Sequence, residues 1–154
     1  MLIASLLVNS SNLHCKDTAI SSKKRLIEHM SQYLANHAQA IAPGRIFQAL
    51  LERERLGSTG LGRGVAIPHA RVAGITETVA AMITLTTPIN YEAADNQPVD
   101  IIFGLLVPDD DDQYHLEHLA RIATILRDEK NCDMIRNASD PEKLFNLLLA
   151  IDDD

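Results

Sequence analysis

The residues best suited to chemistry lie in one run, Gly57-Ser58-Thr59-Gly60-Leu61-Gly62-Arg63-Gly64-Val65-Ala66-Ile67-Pro68-His69-Ala70-Arg71. Four glycines fall within eight residues, followed by a short apolar stretch and one histidine behind a proline. Glycine lets backbone N–H groups turn toward an anion and takes positive φ without strain. The β-branched Val65 and Ile67 predict a short strand over 65–67, and Pro68 holds Ile67 extended. This pattern would deliver one imidazole, at a fixed angle, to the rim of an amide-rich pocket. A neutral imidazole with one nitrogen held as a donor can attack phosphorus with the other. The phosphorylated ring would then carry about two negative charges, to be met by cations or N–H donors.

Two other phosphate patterns fail on these residues. A P-loop needs Gly-x-x-x-x-Gly-Lys-Ser/Thr between a strand and a helix. Gly57 and Gly62 have that spacing, but Arg63 and Gly64 follow, and the predicted order is helix, loop, strand. The dinucleotide pattern Gly-x-Gly-x-x-Gly begins at Gly60 and Gly62 and meets Val65 in its third place. Taken alone, the glycines are also compatible with a tight connection beside a packed histidine. The flanking residues decide between the two.

The run Leu51-Glu52-Arg53-Glu54-Arg55-Leu56-Gly57-Ser58-Thr59-Gly60, then Gly64-Val65-Ala66-Ile67-Pro68-His69, resembles the type-2 EIIA domains of the bacterial phosphoenolpyruvate-dependent phosphotransferase system. Asp95-Asn96-Gln97-Pro98-Val99-Asp100-Ile101-Ile102-Phe103 and Leu105-Leu106-Val107-Pro108 look like that family's central strand and its entry turn. The likeness covers residues 13–151 and is strongest to the nitrogen-regulatory branch of the family. It implies that His69 is the phosphorylated nucleophile, attacked at Nε2. It implies that Arg53 faces the phosphate and that His115 is the second active-site histidine. Ser58 and Thr59 match the loop positions over the pocket. Without the resemblance, Glu52-Arg53-Glu54-Arg55 reads as a solvated, mixed-charge helix face. Arg63 and Arg71 stand where relatives often carry Asn or Asp and Lys, adding positive charge near the pocket.

The resemblance further implies a phosphocarrier that accepts a phosphoryl group from an HPr-like carrier protein, a phosphotransferase component without turnover of its own small substrate. Its targets would be regulatory proteins such as potassium-transport or sensor-kinase systems. A sugar-specific EIIA that hands phosphate to an EIIB transporter domain is the alternative. A structural interaction module that is never phosphorylated is the alternative of another class. No cofactor or metal is implied.

Composition bounds these expectations. At 154 residues the chain suits one EIIA type-2 domain spanning 1–154, with an acidic tail at 152–154. Hydrophobic residues make up 46% and aromatics 4%, so the core must be aliphatic. A net charge of −7 argues against nucleic acid, whose binders need a clustered basic face. Cys15 and Cys132 form no disulfide framework or zinc pattern. No apolar run approaches a membrane span, and the N-terminus lacks the charged region of a signal peptide, so a cytoplasmic protein is expected. His115 and His118 share a helical face, but His-Leu-Glu-His is one residue short of a zinc-protease motif. The acidic run 109–112 lacks the Gly and distal Glu of a calcium loop.

The positioning elements follow from periodicity. A first strand is expected at 12–15. Ser21 and Ser22 offer N-caps to a helix with Leu26, Met30, Leu34, Ala38 and Ile41 on one stripe. Pro43 suits the first turn of a second helix that Gly57 stops. Strands are expected at 65–67, 78–87 and 99–107, with turns at 88–90 and 94–96. Helices follow at 114–128 and 132–137. Ser139-Asp140-Pro141-Glu142 reads as a capping box before a closing helix through Leu149. The order predicts an α/β fold, a three-layer α/β/α sandwich around a mixed central sheet. Leu61, Val65 and Ile67 are expected as the apolar ring around His69.

Overall fold

The computed structural model describes residues 6–7, 10–38, 41–110 and 113–152, with side chains from 116 onward in the last segment. Among the described residues the chain forms six strands and five α-helices. The strands are β1 (Leu13–Asp17), β2 (Gly60–Gly62), β3 (Val65–Ala66), β4 (His69–Val72), β5 (Val79–Ile89) and β6 (Val99–Pro108). The helices are α1 (Lys23–Ala35), α2 (Pro43–Arg55), α3 (Gln113–Arg127), α4 (Glu129–Asn137) and α5 (Pro141–Asp152).

The sheet runs β1-β5-β6-β3-β2, with β4 also paired to β6. β1 is parallel to β5, β5 antiparallel to β6, and both β3 and β4 lie parallel along the same strand β6. The period of two in β5 and β6 splits the core into two layers. Ala81, Ile83, Ile102 and Leu106 pack with Leu26, Met30, Leu34, Ile46 and Leu50 of α1 and α2. Ala80, Met82, Ile101, Phe103 and Leu105 pack with Ile122, Ile135, Leu144 and Leu148 of α3, α4 and α5. This is the expected three-layer sandwich. Gly104 lets α1 approach: a Cβ there would collide with the Met30 side chain.

Local signals explain most boundaries. Ser22 caps α1, its hydroxyl accepting from Arg25 N–H at 3.2 Å. Pro43 opens α2, where its missing N–H is not needed. Several boundaries differ from expectation. The 88–90 turn is instead the end of β5, with Ile89 opposite Val99; Pro88 is tolerated because the β5–β6 register is irregular between Thr84 and Ile89. β2 and β4 are strands of three and four residues, too short to show a period. At α5, the Asp140 carboxylate accepts from Glu142 N–H at 2.8 Å, so Asp140 and not Ser139 supplies the cap. Asp152, expected to begin a frayed tail, is instead the last residue of α5, 7% exposed, with Arg121 Nη2 donating to its carbonyl at 3.3 Å. Residues 153–154 lie outside the described residues.

Candidate functional site

The glycine-rich run folds as a hairpin. Arg63 (φ 56°) and Gly64 (φ 86°) both take positive φ, as a two-residue turn joining right-twisted strands requires. Arg63 is an unusual residue for that conformation, and its surroundings hold it there. Its N–H donates to Asp95 at 3.0 Å, and its carbonyl accepts from Arg136 at 3.0 Å. Several amides of this run are already held by protein acceptors, which argues against an open anion cradle. Thr59 N–H donates to Glu54, Gly60 N–H to Ser58 Oγ, and Ile67 N–H to the Thr59 carbonyl.

Pro68 then sets the geometry of the imidazole. β3 and β4 would form one continuous strand along β6 if Ile67 and Pro68 joined the ladder. Ile67 N–H is drawn off to Thr59 at 3.0 Å, while Pro68 has no N–H and only accepts, from Leu105 at 3.0 Å. The Ile67 carbonyl is thereby left to accept from His69 Nδ1, at 2.7 Å. A carbonyl can only accept, so Nδ1 carries the proton and Nε2 the lone pair of the neutral ring. The local break in the sheet thus selects the tautomer.

His69 is half-buried at the wall of a cleft of about 530 Å³, lined by Ala49, Glu52, Arg53, Leu56, His69, Ala70 and Arg71. Arg53 is in the last turn of α2, and its Nη1 donates to the Gly57 carbonyl at 2.9 Å. The structure therefore brings Arg53 and His69 to one cleft. Burial lowers the His69 pKa below its ordinary 6.5, and the Arg53 charge lowers it further; the Ile67 carbonyl and Glu54 act the other way. A histidine held neutral in the fold adds stability above the unfolded value, lost as pH falls through the lowered folded one. Titration of the His69 ring by NMR is accordingly expected to show a midpoint below 6.5. A midpoint above that value would mean that the imidazole is not desolvated as described.

The other expected site residues divide. Thr59 is 6% exposed, its hydroxyl donating to Glu54 and lying 3.0 Å from the Tyr91 hydroxyl. Ser58 is half-buried and accepts from Gly60 N–H at 3.1 Å. His115 falls in the first turn of α3, and its side chain lies outside the described residues. Val65 and Ile67, expected on the rim, are 0% and 3% exposed and pack into the α3–α5 layer, because β3 runs inside the sheet. Leu56, at 85% exposed, is the apolar side chain that the cleft presents instead. Arg63 lines a different cleft, with Leu126 and Arg127, and pairs with Glu129 at 3.3 Å; Arg71 does line the His69 cleft.

Sequence reasoning missed Glu54. In place of a solvated helix face, its side chain is 5% exposed and lies 3.0 Å from Lys23 Nζ. Tyr91 donates to it at 2.9 Å. The signal was present only as an acid in the last turn of a helix, where the dipole disfavours one.

A three-layer fold whose interrupted strand holds a histidine in one tautomer beside a helix-terminal arginine can now be set against known families. Residues 7–151 match the family model described as phosphoenolpyruvate-dependent sugar phosphotransferase system, EIIA 2, and the chain belongs to that family. It is 41% identical over 139 residues to the nitrogen regulatory protein of Escherichia coli (strain K12), covering 90% of this chain and 82% of that one. The solved structure of nitrogen regulatory protein IIA-Ntr from Neisseria meningitidis superposes with a TM-score of 0.89 at 35% identity, over 95% of this chain and 98% of that one. The IIA mannitol structure of Escherichia coli shares the fold, with a TM-score of 0.75 at 19% identity over 91% and 97% of the two chains. Among the described residues, no helix is long and apolar enough to cross a membrane.

Proposed function

We propose that this chain is a cytoplasmic phosphocarrier of the nitrogen-regulatory branch, accepting a phosphoryl group on His69 from an HPr-like carrier protein. The observation that supports this reading most is the Nδ1–H bond to the Ile67 carbonyl, which leaves the Nε2 lone pair as the nucleophile in a cleft shared with Arg53. The Nε2 lone pair forms the new P–N bond. The P–N bond of the donor breaks, its electron pair returning to the donor ring, while His69 Nδ1 keeps its proton. Such a transfer asks the protein for positioning and charge neutralisation. Arg53 supplies the cation, and His115 is proposed to donate to the phosphoryl oxygens. Ser58 and Thr59 are proposed as the phosphate-binding positions of the loop over the site. The phosphorylation state would be read by regulatory proteins such as potassium-transport or sensor-kinase systems.

Phosphoenolpyruvate, enzyme I and an HPr-like carrier are expected to add one acid-labile, base-stable phosphate. Offered the phosphorylated carriers of the nitrogen and sugar branches in turn, the chain is expected to label faster from the first. Equal labelling with rapid onward transfer to an EIIB domain would move it to the sugar branch. No labelling from either would leave a structural interaction module.

A further inference from the structure

Arg53 and Glu54 are neighbours in the last turn of α2, and both side chains grip the loop that follows. Arg53 Nη1 donates to the Gly57 carbonyl at 2.9 Å. Glu54 reaches one step further: Oε2 accepts from Thr59 N–H at 3.3 Å, and Oε1 from the Thr59 hydroxyl. Tyr91 donates to Oε1 at 2.9 Å, and Lys23 Nζ lies 3.0 Å from Oε2. A buried carboxylate at the negative end of a helix is unfavourable without such partners. Lys23 comes from α1 and Tyr91 from the segment after β5, so the carboxylate is fixed from outside its own helix.

The short connector from α2 to β2 is thereby held at both ends. Leu56 N–H donates to the Arg53 carbonyl at 3.2 Å and Gly57 N–H to the Glu54 carbonyl at 3.1 Å, which fixes its start. The Glu54 side chain fixes its end at Thr59. Between the two lies the Gly57 carbonyl, the acceptor that holds the guanidinium. Glycine has the widest choice of backbone conformation, so this peptide would swing if the far end of the connector were loose. We propose that Glu54 is a positioning residue for Arg53: by fastening Thr59 it fixes the Gly57 carbonyl, which keeps the guanidinium in the His69 cleft. The action is mechanical and needs no charge carried along the main chain. The bond to Gly57 uses one guanidinium N–H and leaves the others for an arriving anion. A side chain ordered in advance also loses less freedom when it binds.

The consequence for transfer rests on the phosphocarrier reading, but the fastening of Arg53 does not, and the test separates them. In unphosphorylated wild-type protein, 15N NMR is expected to show slower guanidinium rotation at Arg53 than at exposed Arg55. Glu54→Met keeps the length of the side chain but cannot bond Thr59, and should bring Arg53 rotation up to that of Arg55. It is also expected to slow phosphoryl acceptance about tenfold, since misplacing one positioned group costs that much or more. In an Arg53→Ala background the same change should cost less than about twofold, because the residue it acts through is gone. Glu54→Gln loses the charge, yet its amide can accept from Thr59 N–H and donate to the hydroxyl. It is expected to recover most of the rate lost in Glu54→Met. Arg53 rotation unmoved by Glu54→Met, or rate losses that multiply in the double variant, would make Glu54 a structural anchor only. Equal losses in Glu54→Gln and Glu54→Met would make charge the cause and overturn the proposal. Should Glu54→Met not fold, Thr59→Val removes one of the two bonds and must still speed Arg53 rotation. If wild-type protein takes no phosphate, the carrier reading fails, while the guanidinium signals still decide the fastening.

Discussion

Replacing His69 with alanine is expected to reduce phosphate incorporation from the carrier to background, with the fold retained. The loss should be complete because no second nucleophile among the described residues shares the arrangement that makes this ring reactive. That arrangement is made by the backbone: the Pro68 interruption, the Ile67 carbonyl at 2.7 Å from Nδ1, and the parallel pairing of His69 with Leu105. Alanine keeps the β4 ladder, since pairing uses main-chain groups. The variant should therefore unfold cooperatively in a melt monitored by circular dichroism. Labelling of the alanine variant at the wild-type level would place the phosphate elsewhere.

Arg53→Ala is expected to slow or weaken phosphoryl acceptance by roughly tenfold to over a hundredfold. The figure follows from about 1.5–3 kcal/mol for one hydrogen bond to a charged group. Arg53 is already held in place by its bond to the Gly57 carbonyl at the end of α2, so little freedom is lost when an anion arrives. Its removal should also raise the His69 pKa, because the guanidinium charge works against ring protonation. Arg53→Lys would restore charge without the planar fork and should recover only part of the rate. Initial rates of transfer from the phosphorylated carrier give the comparison. An unchanged rate in Arg53→Ala would return that residue to a solvated helix face.

Much of this site was legible in the residue order, and the parts that were not share a physical cause. His69 could be read because proline and glycine constrain the backbone whatever the tertiary context. Arg53 could be read only through family resemblance, because a guanidinium at a helix end is equally at home in water. The glycines misled in part: they suggested a cradle of amides and instead built a hairpin turn at Arg63 and Gly64. Glu54 was hidden because its burial depends on Lys23 and Tyr91, which are distant in sequence and meet it only once α1 and the segment after β5 pack together. Val65 and Ile67 were misplaced because a two-residue strand gives no period from which to tell rim from core. The two long strands and the amphipathic helices, by contrast, carried enough repeats to define three layers.

The central claim is that the Nε2 atom of His69 takes the phosphoryl group. Protein with 15N-labelled histidine, phosphorylated by phosphoenolpyruvate, enzyme I and an HPr-like carrier, tests it most directly by NMR. One-bond coupling between phosphorus and Nε2 of His69 is the result predicted. Coupling to Nδ1, or to a nitrogen of any other histidine, would contradict it.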